Sequence, residues 1–210
     1  YGYFKRRQHV QKIILNSLYG VLGLPVFRFY DIDNAEATTL TGQDLIKFTE
    51  TITNHYYNKE LDDKKDYCIY TDTDSVFYPA LPLVQKRYPD ADVSNDEFMT
   101  EQILLVAKEV QDFINNGYNY FATKFLNVRG EHKFDIKQEC VAKSAFWVTK
   151  KRYGQWIIND GGIKCDKLDV KGLDIVKSNF PPAMRDLMTK VLKDILADVD
   201  KEIIDEQIYE

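Results

Sequence analysis

The chain has 210 residues, of which 44% are hydrophobic and 13% are aromatic. This apolar content suffices for one large domain or two small ones, each with its own core. No apolar run approaches the roughly 18 residues that cross a bilayer, which excludes a transmembrane helix. The three cysteines are far apart and odd in number, so they indicate reduced thiols in an intracellular protein rather than a disulfide framework or a Cys-x-x-Cys metal site.

The formal net charge of −5 argues against a nucleic-acid partner, but the charge is unevenly distributed. Residues 1–30 contain five Lys or Arg and no acid, and residues 143–157 contain four and no acid. Two basic patches on an acidic body are typical of a protein that binds phosphates locally. Ordinary solvated faces are the alternative.

The N-terminus, Tyr-Gly-Tyr-Phe-Lys-Arg-Arg, has neither an initiator Met nor a signal-peptide pattern. We interpret it as a cut end, which predicts that the chain is a processed product or a fragment.

In chain order, hydrophobic spacing first predicts a helix over residues 4–22, with Ile14, Leu18 and Val21 in one apolar stripe. Gly23 and Pro25 end it. Residues 26–30 alternate like a short strand or an extended link. A second helix is predicted over residues 34–57 and a charged loop over residues 59–66.

Two short β-prone runs then flank a polar turn and predict a β-hairpin, at residues 67–70 and 76–78. A third helix, capped by Ser94 or Asn95, is predicted over residues 95–114. Strands follow near residues 134–141, 145–149 and 155–158, and Pro181-Pro182 opens a last amphipathic helix that includes Val199. This order predicts an α+β fold with an antiparallel β-sheet backed by helices.

The hairpin turn, Asp72-Thr73-Asp74-Ser75, is the first candidate site. Two carboxylates this close repel each other, and a hard cation such as Mg²⁺, which takes oxygen ligands, removes that conflict. The alternative is a turn in which Asp only hydrogen-bonds the local backbone, and a bare Asp-x-Asp is more often of that kind.

The first helix is the second candidate, because Lys12, Asn16 and Tyr19 are spaced to form one polar stripe. A cation, an amide and a phenol in a row suit a triphosphate and a base, although such a stripe is also an ordinary polar helix face.

A third candidate is the run of Lys150, Lys151 and Arg152 beside aromatic residues, including Tyr153. Its cations suit successive phosphates, and the alternative is a solvated hairpin end.

Taken in order, these segments resemble family B (alpha-like) DNA polymerases. Residues 12–20 match that family's motif B, Lys-x-x-x-Asn-Ser-x-Tyr-Gly, and residues 70–75 match motif C, the Asp-Thr-Asp-Ser palm hairpin. Residues 150–153 match its Lys-Lys-Arg-Tyr element, and residues 171–174 resemble its palm-to-thumb junction. The form of the region after motif C is similar to the tailed-phage branch. Thr71 stands where the family commonly has Gly.

The resemblance implies that Asp74 is a direct ligand of two catalytic Mg²⁺ ions, with Asp72 beside it as a supporting and less direct one. It implies that Lys12 and Asn16 contact the incoming deoxynucleoside triphosphate and that Tyr19 faces the nascent base pair. Lys150, Lys151, Arg152 and Tyr153 would hold the primer–template DNA near the primer end.

The resemblance also implies a division of the chain: the end of a fingers helix over residues 1–23, a palm over residues 24–170 and the start of a helical thumb over residues 171–210. The family's motif A, Asp-x-x-Ser-Leu-Tyr-Pro, does not occur in this sequence, and neither do its exonuclease carboxylates. The expected partners therefore include the remainder of the polymerase chain, with a sliding clamp as a further candidate and no membrane.

The expected activity is template-directed addition of deoxynucleotides to a primer 3′ end, and the expected location is the cytoplasm of a bacterial host. One alternative is a nucleic-acid-binding or split-polymerase subunit that is inactive without a second chain carrying motif A. Another two-metal enzyme, a nuclease or an RNA polymerase, is the second alternative.

Overall fold

The structure is a computed structural model that describes residues 2–209. Its helices and strands follow one another in this order: α1 (Gly2–Leu22), α2 (Ile32–Leu61), β1 (Tyr70–Asp72), β2 (Ser75–Phe77), α3 (Leu81–Arg87), α4 (Asp96–Lys124), β3 (Cys140–Thr149), β4 (Arg152–Asp160), β5 (Ile163–Lys171), a short 3-10 helix (Asp174–Val176), α5 (Pro182–Leu196) and α6 (Lys201–Tyr209).

The strands form two antiparallel sheets. In the hairpin, β1 pairs with β2 so that Tyr70 lies opposite Phe77 and Asp72 lies opposite Ser75. The second sheet has the order β3-β4-β5. Helices and antiparallel strands in separate runs are an α+β arrangement, which confirms the predicted fold class.

Two apolar cores hold these elements. The larger one lies where α2, α3 and α4 meet, and Tyr57, Val84 and Val110 are fully buried there. Gly117 lets α2 and α4 approach closely, since a Cβ at this position would lie 2.8 Å from the Cδ1 atom of Ile52. The smaller core joins the three-stranded sheet to α5, through buried residues Val141, Ile157, Val191, Leu192 and Leu196.

Local chemistry explains where the long helices begin. The carboxylate of Asp31 accepts the Asn34 N–H at 3.0 Å and caps α2. The side chain of Asn95 accepts the Phe98 N–H at 3.2 Å and caps α4, which confirms one of the two predicted caps. Each cap satisfies a backbone donor that has no partner inside its helix.

The predicted first, second and third helices are all confirmed, although α2 and α4 continue beyond the predicted ends. The last amphipathic helix is confirmed as α5, but it ends at Leu196 and so excludes Val199. Most of the predicted apolar stripe of α1 is exposed: Ile14 is 62% and Leu18 59% exposed, and Val21 is half-buried.

Several local predictions were wrong. Residues 26–30 form turns rather than a strand, since hydrogen bonds such as the one from Phe27 N–H to the Leu24 carbonyl close this segment on itself. The first hairpin strand begins at Tyr70 instead of residue 67. Residues 134–139, predicted as a strand, lie outside any strand, and residues 140–149 form one continuous strand, β3. β5, α3 and α6 were not predicted, because their sequences are short or rich in charge.

None of the helices within residues 2–209 combines the length and the apolar character that a membrane span requires.

Candidate active site

The tip of the β1–β2 hairpin carries both predicted metal-binding aspartates. Its turn is tight: the Asp74 N–H donates to the Asp72 carbonyl at 2.6 Å, and the Ser75 hydroxyl donates to the same oxygen at 3.0 Å. Thr73 between them has a φ of +54°, which a β-branched residue rarely adopts. The two hydrogen bonds stabilise the turn despite the unfavourable backbone conformation of Thr73. The turn keeps Asp72 and Asp74 at one end of the hairpin.

The two aspartates have different surroundings. The Asp72 side chain is only 20% exposed, and its Oδ1 atom lies 3.1 Å from Lys151 Nζ. The Thr73 hydroxyl donates to the same Oδ1 at 3.0 Å. Asp74 is exposed at the tip, and within residues 2–209 its carboxylate makes no hydrogen bond or ion pair. Asp74 is therefore the carboxylate that is open to a ligand.

The charge of Asp72 is stabilised from outside the hairpin. Partial burial raises the pKa of the Asp72 carboxyl, but hydrogen bonds from Lys151 and Thr73 and the positive charges of Lys151 and Lys150 lower it by more. The net pKa of Asp72 is therefore below its ordinary value. Asp72 stays ionised although it is mostly buried.

The neighbouring cation comes from the turn between β3 and β4. Lys150 and Lys151 form this turn between the paired residues Thr149 and Arg152. Lys151 has a φ of +62°, and its N–H donates to the Tyr70 hydroxyl of β1 at 2.8 Å. The structure thus brings the predicted DNA-binding run against the predicted metal-binding hairpin.

An aromatic cluster fills the space between the hairpin and the basic turn. Tyr70, Phe77, Trp147 and Tyr153 all approach one another, with ring centroids 5.7 to 6.4 Å apart in the six pairs. Burial, followed by the charge of Asp169, raises the pKa of Tyr153 above its ordinary value. Tilted and edge-on aromatic contacts of this kind favour a rigid joint between the two sheets.

The polar stripe of α1, which is predicted to bind a triphosphate, is connected to α2 through Tyr19. Lys12 and Asn16 are exposed on α1, and the Tyr19 hydroxyl is 2.5 Å from the Thr39 hydroxyl of α2. Among the described residues, no hydrogen bond or ion pair connects α1 with the hairpin or with the basic turn. The role of the stripe stays a prediction.

Two residues of the site have roles that were not predicted. The sequence indicates Tyr70 only as a strand residue and part of a motif, yet its hydroxyl accepts a hydrogen bond from the backbone N–H of Lys151. Gly172, with a φ of +66°, lies so close to Lys151 that a Cβ would be 2.1 Å from the Lys151 carbonyl oxygen. In the sequence, Gly172 was notable only as part of the segment 171–174 that resembles the palm-to-thumb junction.

The donor types at the hairpin tip fit a hard divalent cation, because carboxylate oxygens are the ligands that Mg²⁺ prefers in proteins. Their number is small: in the part of the chain that the structure describes, no group of three or more His, Cys, Asp or Glu side chains is placed to hold a metal ion. Asp74 is the residue best placed to bind such an ion, with Asp72 behind it.

The site thus consists of an acidic hairpin tip beside a lysine-rich turn, on antiparallel sheets backed by helices. Carboxylates suit a divalent cation and lysines suit phosphates, the two kinds of group that nucleotidyl transfer requires. Comparison with known proteins agrees. The family model described as DNA polymerase family B matches residues 3–82, which include nearly all of α1, the whole of α2 and the whole hairpin.

Individual relatives match along most of the chain. The DNA-directed DNA polymerase of Escherichia phage RB69 is 26% identical over 197 residues, and that of Enterobacteria phage T4 is 26% identical over 204 residues; these alignments cover 89% and 92% of this chain. The DNA polymerase delta catalytic subunit of Candida albicans is 29% identical over 92% of the chain.

The chain is similar to DNA polymerase family B, which confirms the resemblance inferred from the three motifs. Phage polymerases are among the relatives, in agreement with the predicted phage-like character. The chain spans 22% of the length of the two phage relatives and 16% of the length of the Candida subunit.

Proposed function

We propose that this chain supplies part of the active site of a template-directed DNA polymerase, which adds deoxynucleotides to a primer 3′ end and releases pyrophosphate. The observation that carries the proposal is the contact between Asp72 of the hairpin and Lys151 of the basic turn, 3.1 Å apart. It joins a carboxylate suited to metal binding to a cation suited to phosphate binding.

The two aspartates have different proposed roles. Asp74, exposed and without a partner among residues 2–209, would bind the catalytic Mg²⁺ directly, and Asp72 would support it from behind. Two bound Mg²⁺ ions would lower the pKa of the primer hydroxyl and neutralise charge on the phosphates. Asp72 contributes an ionised carboxylate because Lys151 and Thr73 hydrogen-bond to it.

The basic turn would hold the DNA. Lys150, Lys151 and Arg152 are all exposed, so they can bind phosphates of the primer–template, while Tyr153 packs in the aromatic cluster behind them. Phosphate contacts of this kind fix the position of a duplex without reading its sequence. They would place the primer end beside the hairpin.

On α1, Lys12 and Asn16 would contact the incoming triphosphate, and Tyr19 would face the nascent base pair. All three are exposed, which supports a role toward a ligand. The hydrogen bond between Tyr19 and Thr39 supports a fixed position of α1 along α2. A phosphoryl-transfer transition state needs such positioned groups more than it needs covalent help.

We propose the same division of the chain as the sequence indicates, with the end of a fingers helix over residues 1–23, a palm over residues 24–170 and the start of a thumb over residues 171–210. A carboxylate from motif A in the remainder of the polymerase would complete the metal site. The wider partners would be primer–template DNA, deoxynucleoside triphosphates and a sliding clamp, in the cytoplasm of a bacterial host.

The direct test is Asp74→Asn in the polypeptide that contains this chain together with motif A. We expect primer extension to fall by roughly two to three orders of magnitude, while the affinity for primer–template DNA stays unchanged. Asp112→Asn is a matched control, because Asp112 is another exposed aspartate, on α4. Extension by the Asp74 variant at the rate of the Asp112 variant would contradict the proposal.

A second assay separates the alternatives. The 210-residue chain is tested for primer extension alone and after addition of a polypeptide that carries motif A. Activity only in the mixture indicates a split-polymerase subunit. Equal incorporation of ribonucleotides, or DNA cleavage without synthesis, would instead indicate an RNA polymerase or a nuclease.

A further inference from the structure

The backbone of Lys151 is held from two sides by residues from different parts of the chain. On one side the Tyr70 hydroxyl of β1 accepts the Lys151 N–H at 2.8 Å. On the other side Gly172, just after β5, lies against the Lys151 carbonyl, where any Cβ would be 2.1 Å from the oxygen. Both backbone groups of Lys151 are therefore constrained.

This restraint matters because Lys151 has an unfavourable backbone conformation. Its φ of +62° lies in the left-handed region, which residues with a Cβ adopt rarely and usually at turns. A hydrogen bond to the N–H of such a residue favours this conformation over the alternatives. The backbone conformation of Lys151 in turn sets the direction of its side chain, whose ammonium lies 3.1 Å from Asp72.

We propose that the Tyr70 hydroxyl is a positioning group for Lys151, which keeps this lysine between the acidic hairpin and the bound DNA. The proposal rests on the proposed function, since it takes Lys151 to be a DNA contact. Tyr70 itself touches neither DNA nor metal in this scheme. It acts only through the backbone of Lys151.

The ring of Tyr70 and its hydroxyl have separable roles. The ring packs against Phe77, Trp147 and Tyr153, and a phenylalanine would keep all of these contacts. Only the hydroxyl reaches Lys151. Tyr70→Phe therefore removes the proposed positioning group while it leaves the aromatic cluster in place.

Tyr67→Phe is the matched control. Tyr67 lies three residues earlier and is also half-buried. Its hydroxyl donates to Asp63 at 2.6 Å, so this variant also loses one tyrosine hydrogen bond. A general loss of stability would appear in both variants, whereas a loss of Lys151 positioning would appear only in Tyr70→Phe.

The first measurement is amide hydrogen exchange by NMR on the 210-residue chain. We expect the Lys151 amide to be protected in the unmodified chain and in Tyr67→Phe, and to exchange at least tenfold faster in Tyr70→Phe, since one hydrogen bond of about 1.4 kcal/mol corresponds to a factor of ten. Equal protection of the Lys151 amide in all three proteins would overturn the proposal.

The second measurement is the salt dependence of binding to primer–template DNA, for the single variants Lys151→Ala and Tyr70→Phe and for the double variant. Losing one phosphate contact reduces the slope of log K against log salt by about one. We expect this reduction in Lys151→Ala, a smaller one in Tyr70→Phe, and a double variant no weaker than Lys151→Ala alone.

The outcomes are distinguishable. Unchanged DNA binding in Lys151→Ala would overturn both the proposed DNA contact and the role of Tyr70. A reduced slope in Lys151→Ala with an unchanged slope in Tyr70→Phe, or strictly additive effects in the double variant, would overturn the role of Tyr70 alone. The pattern expected above would support both.

Discussion

Lys151 Nζ lies 3.1 Å from the Oδ1 atom of Asp72, so one cation of the basic turn neutralises one carboxylate of the acidic hairpin. The same lysine is exposed over 64% of its side chain, which leaves it accessible to a phosphate. Asp74, two residues from Asp72, has no such cation among residues 2–209. Within the described residues, a lysine therefore neutralises the negative charge of Asp72, whereas the charge of Asp74 is not neutralised.

We expect Lys151→Met to strengthen the binding of a divalent cation to the hairpin by up to about thirtyfold, because the repulsion between a unit charge and a divalent ion about 4 Å apart is worth about 2 kcal/mol in water. Electron paramagnetic resonance of bound Mn²⁺ on the isolated chain measures this. Lys164→Met on β5 is the control, since it removes an exposed lysine at the opposite end of the sheet. Equal Mn²⁺ affinity in the two variants would argue against competition at Asp72.

Gly172→Ala should destabilise the fold more than an alanine at an ordinary left-handed glycine. Gly161, in the β4–β5 turn, has a φ of +58° with open space around it, so Gly161→Ala should cost about 1 to 2 kcal/mol for the backbone conformation alone. Gly172→Ala adds the contact with the Lys151 carbonyl, which overpacking data place at a further 1 to 3 kcal/mol or so. Urea unfolding of both variants gives the difference. Similar unfolding midpoints would mean that the chain relaxes around Lys151.

Glu109 provides a pH-dependent contribution to stability. Hydrogen bonds from Arg87 lower the pKa of Glu109 below its ordinary value of 4.5, an effect that burial only partly opposes. A lowered pKa in the folded state stabilises the protein above the unfolded-state pKa, and this stabilisation is lost as pH falls through the folded-state value. Glu109→Gln should therefore be less stable than the unmodified chain at pH 7.

The stability difference should shrink below about pH 4.5, and urea unfolding at pH 7, 5, 4 and 3 follows it. Both side chains are partly exposed, at 34% for Arg87 and 48% for Glu109, so the difference at pH 7 should be about 1 kcal/mol or less. A difference that is constant with pH would exclude this ionisation as its source.

Trp156 joins α5 to the sheet. Its Nε1–H donates to Asp166 at 2.6 Å, Lys193 of α5 pairs with the same carboxylate at 3.2 Å, and the ammonium of Lys193 lies 5.8 Å from the Trp156 ring centroid. We expect Trp156→Phe to accelerate amide hydrogen exchange in α5 several-fold and to leave the buried middle of α4 unchanged, because the indole donor and part of the ring beside Lys193 are lost. Equal acceleration in both helices would indicate a global effect.

Sequence patterns predicted much of the fold because the relevant forces are local. The starts of α2 and α4 follow from hydrophobic spacing and short-range capping by Asp31 and Asn95. β5 was not predicted because five of its nine residues are charged, so no apolar run marks it. Its place depends on pairing with β4.

The sequence by itself determined the resemblance to the polymerase family, the acidic hairpin and the basic turn, because each depends on a short contiguous motif. Only the tertiary structure decided that Lys151 compensates Asp72 and leaves Asp74 open, that Tyr70 holds the Lys151 backbone, and that Gly172 lies beneath it. Those contacts join residues far apart in the chain. They depend on the strand register and on the packing of one sheet against the other. Neither can be read from the local periodicity of the sequence.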